Sequence, residues 1–151
     1  MRFRRSLLTV AAVHATGPAV HACAHASTGI ENAVWEQLFI VIVVTIKPWV
    51  SVVVAWKYGI AKGALLLALS MFAAFLFGYV LHFVADGPDM YANVGRPNGL
   101  LYFHSAAGLS LVEFAGAALG LYVLMRARRR SCRVWRERDR SGEHKRRGTN
   151  R

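Results

Sequence analysis

Residues Val34–Trp56 read VWEQLFIVIVVTIKPWVSVVVAW, an apolar run bounded by two tryptophans and interrupted at its centre by Lys47-Pro48. A helix crossing a hydrocarbon core of ~30 Å needs ~20 residues. In a helix Trp35 and Trp56 would stand roughly 31 Å apart, which suits rings anchored at the two membrane interfaces. Two runs of similar length follow, at about Ile60–Val84 and about Leu100–Met125, the latter with Tyr102 and Tyr122 placed as its aromatic belt. No stretch alternates polar and apolar with period two, and a closed barrel needs at least eight strands. The predicted fold class is therefore an all-α membrane protein with three transmembrane helices.

The charge distribution agrees. The 151 residues are 55% hydrophobic yet carry a formal charge of +11, and the mean hydropathy is +0.33. Residues 1–5, the stretch 126–151 and everything between contribute +3, +9 and −1. This pattern excludes a soluble enzyme fold, a disulfide-stapled secreted module and a disordered chain. Lys57 and Lys62 flank a tight turn on the same side as the Arg-rich C-terminus. The longer loop at 85–99 (ADGPDMYANVGRPNG) carries one Arg, two Asp and several turn formers. Lys/Arg bias then predicts a multi-pass inner-membrane protein with residue 31 and the 85–99 loop outside and the C-terminus cytoplasmic.

Residues 1–26 fit a cleaved signal peptide, with Arg2, Arg4 and Arg5 before a short apolar run. Ala22-Cys23-Ala24 and Ala24-His25-Ala26 match small-residue cleavage sites. The alternative is a retained fourth helix, although His14 and Gly17-Pro18 interrupt the apolar run. With Cys23 in this segment and Cys132 in the tail, no structural disulfide is expected. Residues 27–125 form the transmembrane domain, and 126–151 read as a disordered basic cytoplasmic tail. In the tail Arg128, Arg129, Arg130 and Trp135 suit contact with anionic inner-leaflet lipid, worth ~1 kcal/mol per basic residue. Nucleic acid is not expected as a partner.

Ionisable groups inside a membrane are expensive and need a reason. Lys47 lies midway between Trp35 and Trp56, and Glu113 midway between Tyr102 and Tyr122, so both are expected near the midplane. Equal depth and opposite charge predict an ion pair, beside a kink at Pro48 that frees the Val44 carbonyl. Its plainest role is to hold the helices together. Proton or ion movement and a partner contact are the functional alternatives. Small and polar residues recur every three or four positions in two stripes: Ser70, Ala74, Gly78 and His82, then Ala106, Ser110, Glu113, Gly116 and Gly120. Such stripes allow close helix approach in lipid, where apolar burial gives no driving force.

At the outer rim His82, His104 and Glu36 fall at similar depth, with Asp86 and Asp89 in the adjoining loop. Imidazoles on neighbouring helices could ligate a b-type haem or, with carboxylates, a divalent metal. They could also exchange protons or bind a quinone head group. The plain alternative is that interfacial histidines simply reach water. The run from His104 through Gly108, with Glu113 nine residues after the histidine, resembles over about ten residues the membrane anchors of succinate dehydrogenase-type complexes. Those anchors carry haem through a helix histidine and continue into a further helix after the acid, so the likeness names no family. No nucleophile motif, phosphate-binding loop or paired-carboxylate spacing is present, and enzymatic activity is not expected. The expected role is an accessory or anchor subunit of a larger membrane complex, respiratory or metal/haem-handling, beside partner subunits or further copies of itself. The alternatives are an oligomeric channel or small transporter for protons or ions, and a holin-like pore former.

Overall fold

A computed structural model describes residues 2–95 and 99–148, with side chains described over 3–95 and 99–133. The chain is a multi-pass membrane protein with four helices long and apolar enough to span a bilayer, and no strand occurs among the described residues. Helix α1 covers Arg2–Thr28, α2 Val34–Lys57 and α3 Ile60–Val84, and α4 Gly99–Gly148. The α2 and α3 bounds follow the apolar runs to within a residue, because length and hydropathy alone limit a spanning helix.

The helices alternate in direction and pack as a ring. The broadest contact is between α3 and α4, followed by α2 with α3, α1 with α4, and α1 with α2. Phe3, the Tyr58–Lys62 turn and Ala127–Ser131 meet at one end, and the Arg130 guanidinium lies 5.1 Å from the Phe3 ring centroid. This tail end therefore gathers the basic residues of α1, the short turn and α4. The opposite, loop end carries Thr28–Ala33 and residues 85–95. Arg128, Arg129 and Arg130 are exposed at the tail end, while the side chain of Trp135 lies outside the described residues. The backbone stays helical to Gly148 through the segment expected to be a disordered tail. Arg and Glu are good helix formers, and extending an existing helix needs no new nucleus.

Small residues set the spacing, as lipid-embedded packing requires. A Cβ on Gly63 would strike Ala55 and come within 2.5 Å of the Ser51 carbonyl, so α2 and α3 cross in close contact there. A Cβ on Gly120 would lie 2.8 Å from the Ala68 nitrogen, and one on Gly116 would run into Met71. Ser70, Ala74, Ala106 and Ser110 are buried in the same seam. Around these contacts Leu7, Ala11, Val52, Ala55, Ala64, Leu67, Met71, Val123 and Leu124 close the tail-end half as an apolar core.

The loop-end half is built differently. In α2 the stretch Ile40–Ile46 is π-helical, and the Lys47 amide reaches back five residues to the Ile42 carbonyl. Pro48 has no N–H to donate and its ring displaces the carbonyl one turn back, so the wider turns immediately before it accommodate both. In α3 the last five residues, Val80–Val84, are π-helical as well, closed by the Ala85 amide on the Val80 carbonyl at 2.7 Å. Single π turns inside α-helices concentrate at functional sites. Here both stretches face the same cavity.

Candidate functional site

The cavity, of about 140 Å³, lies between all four helices in the loop-end half. Ile40 and Val44 from the α2 π stretch and Leu81 and His82 from the α3 π stretch supply part of its wall. The polar groups on its wall and directly behind it divide into an inner and an outer set, with His14 and Tyr102 behind the wall.

Glu113 forms the inner set with His14. The Glu113 carboxylate is 2% exposed and His14 1% exposed, and His14 Nε2 stands 3.6 Å from Glu113 Oε1. At that distance the contact is an ion-pair approach rather than a formed hydrogen bond. The partner expected from sequence was Lys47. Lys47 is only half-buried, and the described ion pairs join Glu113 to His14 and Asp89 to His25, with none at Lys47. Counting along a helix fixes depth but not the direction a side chain takes around the axis, and α1 presents a histidine to the face where Glu113 lies. Gly78 sits between the inner and outer sets. A Cβ there would lie 3.9 Å from both Glu113 Oε2 and His82 Cδ2.

The outer set gathers His21 and His25 from α1, His82 from α3, Tyr102 from α4 and Asp89 from the loop. His21 Nε2 is 3.2 Å from His82 Nε2, and His21 Nδ1 is 2.9 Å from Ser105 Oγ. His82 Nδ1 faces both Tyr102 Oη at 2.9 Å and the Asp89 carbonyl at 3.2 Å. Tyr102 donates to that same carbonyl at 2.9 Å. His25 Nδ1 meets the Ile30 carbonyl at 3.1 Å and its Nε2 meets Asp89 Oδ1 at 3.1 Å. Both ring nitrogens of His25 thus face acceptors, the pattern of an imidazolium beside a carboxylate. Burial works against ionisation of Asp89, but the contact with His25 outweighs it and holds the carboxyl below the usual carboxylate range.

No protein-family model, curated protein or solved structure matches the chain.

Of the rim residues expected from sequence, His82 belongs to the site and His104 does not. His104 is exposed. It follows Tyr102 by two residues, about 200° around the helix, so with Tyr102 buried His104 must face outward. Tyr102 itself is fully buried and hydrogen-bonded, not a ring in the aromatic belt. The Glu36 carboxylate accepts the Ala33 amide at 2.7 Å and caps the start of α2. The signal-peptide reading of residues 1–26 leaves His14, His21 and His25 outside the expected site. Their spacing gave a usable signal: seven and then four residues apart, they fall on one helical face. Among the described residues no three His, Cys, Asp or Glu side chains converge to hold a metal ion, so the haem or metal set of His82, His104 and Glu36 is not assembled.

Proposed function

We propose that this protein is a small integral-membrane subunit that gives protons access from the loop end to a carboxylate buried in the bilayer, Glu113, and that it works within a larger membrane assembly. The observation that carries this reading is the His14–Glu113 pair at the inner end of a cavity whose outer end carries His25 and Asp89. A carboxylate inside a membrane is costly and is retained where it serves transport or proton exchange. The cavity has room for a short chain of waters, each occupying ~30 Å³ in the liquid, so exchange with the loop end needs no rearrangement of the core.

The asymmetry of the bundle supports one-sided access over a pore. The tail-end half is a dry apolar core, and a chain of four helices leaves little room for an alternating-access transporter built from repeats. A subunit that receives protons from one side completes its task against a partner. The clustering of Lys and Arg supports an inner-membrane placement with the tail end cytoplasmic and the cavity facing outward.

The test is infrared difference spectroscopy of the lipid-reconstituted protein stepped between pH values. A protonated-carboxyl band should appear and vanish reversibly, shift on transfer to heavy water, and be absent in Glu113→Gln. A spectrum with no Glu113-dependent carboxyl band, or a band that does not exchange with solvent, would reject proton access to this residue.

A further inference from the structure

Lys47 is an intramembrane cation that the Glu113 site leaves without a counter-charge. It follows Val34 by thirteen residues and precedes Lys57 by ten. Along the helix it therefore lies about 15 Å from the tail end of the span and about 20 Å from its loop end. Among the described residues no hydrogen bond, ion pair or ring contact involves Lys47, and it is only half-buried. A lysine near a helix end reaches the interface by snorkelling. The four-carbon stem of Lys47 cannot cover even the shorter of its two distances. The Cα–Cβ bond of a helical residue also tilts toward the helix N-terminus, which here is the farther interface. Lipid phosphate is thus out of reach. An uncompensated charge at this depth is costly, and such residues pair with an opposite charge or mark a functional contact. Within the bundle no acid is left for it. Glu36 and Glu113 are the only Asp or Glu in the four spans, and they are engaged with the Ala33 amide and with His14.

We propose that Lys47 docks a transmembrane helix of a different chain, one that carries an Asp or Glu near the middle of its span. Charge complementarity selects the acid, because a carboxylate in hydrocarbon needs a cation for the same reason that Lys47 needs an anion. A second copy of this chain cannot supply it. Glu113 is 2% exposed inside the bundle, and Glu36 caps the loop end of α2, about 16 Å along the helix from Lys47. The surface beside Lys47 suits a helix. Val50 and Val54 share its face of the regular α-helical stretch Lys47–Lys57, and neither is buried. An apolar strip therefore continues from the cation toward the tail end, where a partner helix can lie against it. With little water to compete, the two charges attract more strongly than a surface pair does. This inference rests on the assembly reading above and not on proton access to Glu113, since the cavity wall is built without Lys47.

The test is energy transfer from the tryptophans of the full-length protein to dansyl-labelled synthetic transmembrane peptides in phosphatidylcholine vesicles at neutral pH. The peptides share one Leu-rich host sequence and carry either Glu or Gln at its centre. Saturable transfer to the Glu peptide is expected, about tenfold tighter than to the Gln peptide, the size of one interhelical polar contact in lipid. Lys47→Met should erase that preference, and Lys47→Arg, which keeps the charge, should retain it. Circular dichroism of each variant checks that the helices persist. Equal affinity of the parent for the two peptides, or transfer to neither, would overturn the inference, as would a Glu preference that survives Lys47→Met. Cross-linking of the parent in the same vesicles without peptide covers the remaining occupant. Self-association that is lost in Lys47→Met would place a second copy on this face and overturn the inference too. Glu113→Gln should keep the peptide preference and Lys47→Met should keep the Glu113 carboxyl band, so failure of docking and failure of proton access are separate results.

Discussion

Removing either member of the His14–Glu113 pair should cost the bundle more than removing both. The two groups stand 3.6 Å apart and are almost fully enclosed. Charged groups at that separation attract by about 5 kcal/mol at an effective dielectric constant near 20, an upper figure because both are desolvated. Stranding one partner of a buried pair typically costs ~3–5 kcal/mol. His14→Gln and Glu113→Gln should therefore each be strongly destabilising, while the double variant should be less damaged than the sum by at least ~2 kcal/mol. Reversible unfolding in mixed micelles of mild detergent and sodium dodecyl sulfate, followed by circular dichroism, provides the free energies. Lys47→Met combined with Glu113→Gln serves as the contrast. These residues do not pair, so their effects should add within ~0.5 kcal/mol. Additivity in the first cycle and coupling in the second would refute the pairing and restore Lys47 as the partner of Glu113.

Retention of α1 should be visible in the intact mass of protein extracted from membranes. Leu7, Ala11, His14 and Ala24 are all buried against the other helices, so a chain beginning near His25 or Ser27 would contradict the four-helix bundle. At the α2–α3 crossing, Gly63→Ala should lose ~1–3 kcal/mol of stability through overpacking. Gly108→Ala, where an added Cβ meets nothing within 4 Å, should be neutral or slightly stabilising in the same unfolding assay. A reporter active only outside the cell should work when inserted in the 88–98 loop and be silent when fused after Arg130. The reverse pattern would invert the orientation.

The spanning helices were legible because a bilayer imposes one length and one polarity on them. Val34–Lys57 and Ile60–Val84 follow directly from that constraint. The stripe of small residues on α4 was legible too, since three- and four-residue spacing maps onto one face. Rotation about the helix axis was not readable. Glu113 is buried beside His14, whereas the sequence reading paired it with Lys47, and nothing in Val34–Trp56 indicates which way Lys47 turns. The greater loss came at α1. His14, Gly17 and Pro18 weaken its hydropathy and make the segment look like a poor span, although His14 is the residue that pairs with Glu113. His14 interrupts the apolar run and also meets Glu113, so weighing apolar continuity alone discounts it.

The π-helical stretches in α2 and α3 have a consequence for how these helices would respond to a change in length. A π turn accommodates one residue more than the α-helical path on either side of it. Deleting a single residue within Ile40–Ile46 would let α2 close as a continuous α-helix, and the segments on either side would keep their angular phase, because the wide turn already absorbs the extra residue. Phe39, stacked on Phe77 with centroids 4.3 Å apart, and Trp35, edge-on to the same ring at 5.9 Å, would therefore keep their places against it. The extra residue therefore shapes only the local backbone beside the cavity, where Ile40 and Val44 form part of the wall, and leaves the register of the tail-end half with the apolar core unchanged.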